Sequence, residues 1–249
     1  MKFIGIIPAR YSSTRLPGKP LAMIGDKPMI QHVYEHVSKA LSEVWVATDD
    51  LRIADAVAGF GGLAVMTSPD HKTGTDRCAE VAMRTAKEDD MIINIQGDMP
   101  FISPESIKLL CGCFSDPLTE IATLAAPFAR AEDMKVRHKV KVLVEEDGWV
   151  YNFSRSPLKK DIPGLNDPEE WLARNYKHIG IYGYRYDTLM RITKLPQSAS
   201  ELAENLEQLR WIANGYRIKC AIIADDTISV DTPEDLLNAV QYYEYVSRR

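Results

Sequence analysis

A chain of 249 residues with 30 Lys and Arg against 35 Asp and Glu carries a formal charge of −5, which excludes the broad basic face that a nucleic-acid backbone demands. That length can bury a full core as one α/β domain, with or without an insertion. No run approaches the ~20 apolar residues of a membrane span, and the first apolar run is too short for a signal peptide, so the expectation is a cytoplasmic protein with neither nucleic acid nor membrane as its partner.

Lys2–Pro8 predicts a buried strand, followed by a loop through Pro20. Met29, Ile30, Val33, Val37 and Leu41 recur at helical spacing and predict a helix over Pro28–Leu41. Val44–Thr48 predicts a strand ending at Asp49-Asp50, Leu51–Phe60 a helix stopped by Gly61-Gly62, and Leu63–Met66 a strand. Thr75–Lys87 reads as a helix and Met91–Ile95 as a strand. Cys111 and Cys113 form a C-x-C pair on a helix, a poor geometry for a disulfide or zinc. With Cys78 and Cys220 they read as reduced thiols. Ala122–Pro127, Lys139–Glu145 and Val150–Ser154 predict strands, the last two joined by a turn at Glu146-Asp147-Gly148. Ser156–Glu170 is a long irregular segment, of the kind that is usually functional or mobile. Ile179–Tyr184 predicts a strand, Glu201–Asn214 a helix, Ile218–Ala224 a strand and Thr232–Val246 a terminal helix. The fold class is α/β, a mostly parallel doubly wound sheet in one domain, with a smaller β-rich insertion over roughly residues 128–215.

Ligands of parallel α/β sheets gather at the carboxyl ends of the strands, where this chain places four polar clusters. The first is the opening loop, with Arg10, Arg15 and Lys19, three hydroxyls at Ser12, Ser13 and Thr14, and Gly18. It matches neither the Walker A nor the Rossmann glycine pattern. Its guanidinium forks and ammonium suit a polyphosphate, and taken alone it is also compatible with a solvated basic turn. Asp49-Asp50 is the second cluster, His71–Arg77 the third and Gln96-Gly97-Asp98 the fourth. Asp98 and Asp231 are candidate magnesium ligands, since that ion takes one or two carboxylates plus phosphate oxygens and water. The alternatives are a turn or helix cap at Asp98 and an N-cap at Asp231, ahead of Pro233. Thr73-Gly74-Thr75 precedes a helix whose free amides could meet a base edge or a sugar hydroxyl, or could simply be capped. His32 and His36 lack a third ligand and read as packing residues. His178 stands at a strand edge near Tyr182 and Tyr184. No Ser-His-Asp or Cys-His set stands out, so the pattern points to metal-assisted phosphoryl transfer rather than covalent catalysis.

Taken together, Ile7-Pro8-Ala9-Arg10-Tyr11-Ser12-Ser13-Thr14-Arg15-Leu16-Pro17-Gly18-Lys19-Pro20-Leu21 resembles the signature of the 3-deoxy-manno-octulosonate (Kdo) cytidylyltransferases, or CMP-Kdo synthetases. Val46–Asp49, Gly74–Arg77, Gln96–Asp98, Phe153–Arg155, His178–Tyr184, Leu206–Arg210 and Val230–Asp235 fit the same family in order, over nearly the whole chain. The resemblance implies a nucleotide-diphospho-sugar transferase type of fold and a reaction in which CTP and a 2-keto sugar acid give a CMP-sugar and pyrophosphate. It implies catalytic roles for Arg15, Lys19 and Asp98, and CTP contacts for Ala9, Arg10, Ser13, Arg15, Lys19, Gly74, Thr75 and Arg77. Gln96, Arg155, His178, Tyr182, Tyr184, Glu207 and Gln208 would face the sugar acid, and Asp98 and Asp231 would hold Mg2+. A homodimer and a role in lipopolysaccharide or capsule synthesis are also implied. The chain departs from the usual family pattern at Asp76, Met99 and Leu202; the last two bear on the sugar, so 8-amino-Kdo or another ulosonate or sialic-type sugar is the alternative acceptor. A sugar- or polyol-phosphate cytidylyltransferase would draw on Lys159 and Lys160, and a non-catalytic nucleotide binder is the alternative of a different class.

Overall fold

The computed structural model describes residues 2–13, 15–158, 173–224 and 227–248. Most of the Ser156–Glu170 segment, with Lys159 and Lys160, lies outside the described residues, as does Thr14. The chain divides into two compact units. Unit 1 comprises residues 1–108, 185–189 and 227–249, and unit 2 residues 109–184 and 190–226.

Unit 1 is built on parallel strands. β1 (Phe3–Ala9) lies between β4 (Glu43–Thr48) and β6 (Met91–Asn94), and β5 (Ala64–Met66) pairs on the far side of β4. The registers run from Ile4 opposite Glu43 to Ala9 opposite Thr48, and from Phe3 opposite Met91. Ile4, Ile6, Ile7, Ile92 and Ile93 are fully buried, as expected of a strand covered on both faces. The helices α1 (Met29–Ser38), α2 (Leu51–Gly59) and α3 (Gly74–Thr85) form the crossovers. Asp50 caps α2 by accepting the Arg52 N–H, and Thr73 caps α3 in a reciprocal box with Asp76. The sequence pattern does not predict the small hairpin of β2 (Met23–Ile24) and β3 (Lys27–Pro28). His32 lies under it, its Nε2 donating to the Ile24 carbonyl at 2.8 Å and its ring tilted against Phe101 and Tyr243. That is a packing role, as expected.

Unit 2 carries β7 (Ile121–Ala126), which pairs parallel with β11 (Ile218–Ile222) and antiparallel with β10 (Asn175–Arg185); β8 (Lys141–Val144) pairs antiparallel with β10 and with β9 (Val150–Ser154). The expected α/β class with mostly parallel strands holds. The helix expected over Glu201–Asn214 is instead two, Ala199–Glu204 and Gln208–Ala213, broken at Asn205, where φ is +51°. Asn tolerates this left-handed conformation. Tertiary contacts fix the break. The Arg210 guanidinium donates to the Glu201 carboxylate at 2.9 Å and to the Leu195 carbonyl at 3.1 Å, and both side chains of that pair are less than 10 % exposed.

A buried guanidinium stripped of its short carboxylate contact costs more than the pair contributes, even with Glu207 still 3.5 Å away. Glu201→Leu is therefore expected to destabilise the protein to urea by about 3–5 kcal/mol, and Glu201→Leu with Arg210→Met by clearly less. Equal losses in the two variants would refute this account.

Candidate active site

The carboxyl ends of β1, β4 and β6 lie along one edge of unit 1, because the three strands are parallel. After Ala9 the chain leaves β1 as a loop whose base is closed by one acceptor: the Tyr11 carbonyl takes the N–H of Ser13 at 2.9 Å and that of Gly18 at 3.0 Å. Gly18 has φ +69°, a left-handed conformation that side chains rarely adopt, and it delivers the chain into a short 3-10 turn, Lys19–Leu21. The third strand contributes Gln96-Gly97-Asp98. A Cβ at Gly97 would stand 3.0 Å from the Pro8 carbonyl oxygen, so glycine lets the two strand ends meet.

Charge gathers where these segments converge. Lys19 Nζ donates to Asp98 Oδ2 at 2.7 Å and to Asp231 Oδ1 at 3.2 Å, and Arg15 donates to Asp231 Oδ1 at 3.0 Å. Asp231 is not the N-cap of the last helix, Pro233–Ser247. Thr232 takes that role in a box with Asp235, which also accepts the Asp231 N–H. The Asp231 carboxylate is thereby left to face the cations. Asp98 also caps no helix; the Val230 N–H donates to its carbonyl at 2.9 Å. Burial pushes the Asp98 carboxyl above its ordinary range and the neighbouring Asp231 adds to that, against the opposing pull of Lys19. An apolar cluster of Ile24, Met29, Val230 and Ala239, with Leu16, Phe101 and Tyr243 packed on it, fixes the neighbours of both Arg15 and Asp231.

A cavity of about 440 Å³ opens here, lined by Ala9, Arg10, Ser13, Arg15, Lys19, Gly74, Arg77, Gln96, Asp98 and Asp231 among others. Thr75 is buried inside α3 and does not line it. Arg77 is buried, with its guanidinium spent on Asp49 at 2.9 Å and on Thr67 Oγ1 at 2.5 Å. His71, which sequence reasoning assigned no role, also lines the cavity, its Nε2 held by Glu80 at 2.5 Å.

Unit 2 gathers the remaining candidates around an aromatic cluster. Tyr182 and Tyr184 stack at 6.0 Å, and Trp211 meets both edge-on. Neither the Tyr182 hydroxyl nor Trp211 Nε1 has a partner among the described residues, although both atoms are buried. Burial raises the Tyr182 phenol well above its ordinary value. Trp211 was not singled out in the sequence; its one signal is its place directly after the Leu206–Arg210 motif. Thr123 Oγ1 gives its proton to the Ile181 carbonyl at 2.8 Å, so its 3.0 Å contact with His178 Nε2 must be a bond donated by the imidazole. Nδ1 is then an acceptor. Burial pulls the His178 pKa down to about 3. The Arg155 guanidinium donates to the carbonyls of Glu204 at 2.6 Å and Asn205 at 3.1 Å, and so grips the helix break. Gln208 opens the second helix and is buried, and Glu207 lies 3.5 Å from Arg210. Met99 is buried and Leu202 is exposed.

A loop rich in cations at the end of the first strand, facing two carboxylates, has the charges that nucleotidyl transfer uses, and the comparisons give the class of the chain. The model of the family described as "Cytidylyltransferase" matches residues 4–218. A putative glucose-1-phosphate thymidylyltransferase from Bacillus anthracis shares the fold, at a TM-score of 0.68 and 16 % identity over 97 % of this chain and 95 % of that one. The chain is thus a cytidylyltransferase by class. A 3-deoxy-manno-octulosonate cytidylyltransferase of Bacteroides thetaiotaomicron is 51 % identical over 97 % of this chain and 98 % of that protein. The structure of a CMP:2-keto-3-deoxy-manno-octonic acid synthetase complexed with CTP superposes with a TM-score of 0.90 at 44 % identity, covering 99 % of this chain and all of that one. The chain belongs to the 3-deoxy-manno-octulosonate cytidylyltransferase family, as its motifs indicated.

His178 generates a pH prediction. Its pKa is lower in the folded state than in the unfolded chain, so the unfolded state binds the extra proton, and stability is lost as pH falls from about 6.5 towards 3. Urea titrations across this window are expected to show a shallower acid limb for His178→Gln than for the wild type. An unchanged limb would mean that His178 does not stay neutral.

Proposed function

We propose that this protein transfers CMP from CTP to the anomeric hydroxyl of Kdo, releasing pyrophosphate. The observation that carries the reading is the convergence of Arg15, Lys19, Asp98 and Asp231 at the mouth of the opening loop. Arg10, Ser13, Arg15 and Lys19 bind the triphosphate, with Ala9, Gly74 and Arg77 on the cytidine side and Thr75, buried in α3, out of direct reach. Arg15 and Lys19 stabilise the negative charge that grows on the leaving pyrophosphate.

The residues fit a divalent cation. One ammonium nitrogen lies within hydrogen-bond reach of both carboxylates, so their oxygens already converge on a cationic centre. Two cations against two carboxylates leave the cluster formally neutral, and a triphosphate entering it calls for added positive charge. Asp98 and Asp231 would hold Mg2+, with phosphate oxygens and water as its other ligands. When bound, that ion polarises the phosphoryl oxygens and shields the nucleotide's charge.

For the sugar acid, Gln96, Arg155, His178, Tyr182, Tyr184, Glu207 and Gln208 are the proposed recognition residues. The unpartnered Tyr182 hydroxyl and Trp211 Nε1 favour ligand hydroxyls as their missing partners, and His178 Nδ1 can accept from another. Arg155 retains donors for the carboxylate while it holds the helix break. We further propose a cytoplasmic homodimer serving lipopolysaccharide or capsule synthesis, with residues 128–215 as the substrate and dimerisation region. No helix among the described residues is long and apolar enough to cross a membrane.

The test is turnover with CTP, Mg2+ and a panel of ulosonates that includes Kdo, 8-amino-Kdo and a sialic acid, followed as pyrophosphate release and CMP-sugar mass. Kdo is expected to be the best acceptor, and no product with any ulosonate would refute the reading. Asp98→Asn is expected to reduce kcat by about 10²-fold or more, and Lys19→Ala to raise the CTP requirement or slow turnover comparably. Near-normal kinetics in either variant would remove that residue from the site.

A further inference from the structure

Asp49-Asp50, at the end of β4, is a pair of acids to which the reaction assigns no task. The structure turns them to two different anchors. Asp49 holds the Arg77 guanidinium in one wall of the nucleotide cavity. Asp50 holds the Arg52 guanidinium through two bonds, Nε to Oδ1 at 2.9 Å and a terminal nitrogen to Oδ2 at 2.6 Å. Asp50 is itself fixed twice: its N–H donates to Thr48 Oγ1 at 3.2 Å, and its carboxylate caps α2. The guanidinium so held lies 3.3 Å from the centroid of the Tyr11 ring, a stacked cation–π arrangement. Gly18 packs against the same ring, where a Cβ would meet it at 3.1 Å. The Tyr11 carbonyl meanwhile closes the base of the phosphate loop onto Ser13 and Gly18.

We propose that Arg52 and Tyr11 are positioning residues for the triphosphate: Asp50 orients Arg52, Arg52 stacks on Tyr11, and Tyr11 sets the loop that presents Ser12, Ser13, Arg15 and Lys19. Ser12, Ser13, Arg15 and Lys19 line the cavity, while neither Tyr11 nor Arg52 does, so the pair acts through the loop and not on the ligand. Pre-ordering the loop lowers the conformational cost of binding CTP and leaves the chemistry of the bound complex untouched. The proposal rests on the reading of this loop as the triphosphate site.

The experiment is a double-mutant cycle on the steady-state KM for CTP at saturating Kdo, with Arg15→Ala alongside. Arg52→Ala and Tyr11→Leu are each expected to raise KM by about two- to fivefold with kcat nearly unchanged, the range that an exposed cation–π contact supports. The double variant is expected to be no worse than the worse single one, and Tyr11→Phe, which keeps the ring, to retain the wild-type KM. Multiplicative effects in the double variant, an unchanged KM in Arg52→Ala, or a loss confined to kcat would overturn the proposal. If Arg15→Ala raises KM while Arg52→Ala does not, the clamp alone falls. If Arg15→Ala also leaves KM unchanged, the triphosphate reading falls and takes the clamp with it.

Discussion

The contact on which the rest of unit 1 depends is the ammonium of Lys19 between Asp98 and Asp231. Two carboxylates brought this close repel, and burial makes the ionised form of Asp98 costlier still. One cation satisfies both. Its partners come from sequence positions 79 and 212 residues away, so the contact exists only in the folded chain. A cluster that is neutral on its own neither repels itself apart nor satisfies a triphosphate. On the proposed reading, the same residues are stable without nucleotide and would need added positive charge to hold a triphosphate.

Backbone, more than side-chain bulk, holds that cluster in place. Parallel pairing of β1 with β4 and β6 brings three loops to one edge. The close passage of Gly97 by the Pro8 carbonyl and the bond from the Val230 N–H to Asp98 then tie strand ends that are distant in sequence. Beneath them the apolar cluster joins Leu16, from the phosphate loop, to Val230, beside Asp231. Burying apolar surface there stabilises the fold and sets the spacing of Arg15 and Asp231 at once. The terminal helix, none of whose residues lines the cavity, supports it through Ala239 and Tyr243 in that cluster.

The parallel strands of unit 1 and the helices α1 to α3 were legible, unlike the β2–β3 hairpin, because fully buried parallel strands read as unbroken apolar runs and their covering helices keep a clean period. The break at Asn205 was not, because local pattern favours one helix and the buried Arg210–Glu201 pair decides otherwise. The concentration of positive charge at Arg10, Arg15 and Lys19 was legible from residue type alone, and the fold brings all three to one cavity. The role of Asp231 was ambiguous, since Asp231 and Thr232 are both favoured cap residues on paper and only the geometry of Asp235 separates them. Thr123 carried no signal, and Trp211 only its place directly after the Leu206–Arg210 motif. Their importance lies in which hydrogen bonds they make or leave open, and composition does not record that.

The two units carry different chemistry. Unit 1 offers full charges in a cavity whose partners are themselves charged, which suits an anion of high charge density. Unit 2 offers stacked rings, a Tyr182 hydroxyl and a Trp211 Nε1 that are buried without a partner among the described residues, and a histidine kept neutral by burial. Such a surface gains little from phosphate, because nothing in the aromatic cluster balances several negative charges. It gains from a ligand with one carboxylate and many hydroxyls, each able to satisfy a polar atom that folding left unpaired. On the proposed reading, selectivity for the sugar would come from the cost of leaving those atoms unsatisfied when a poorer acceptor binds, a penalty that charge attraction alone would not impose.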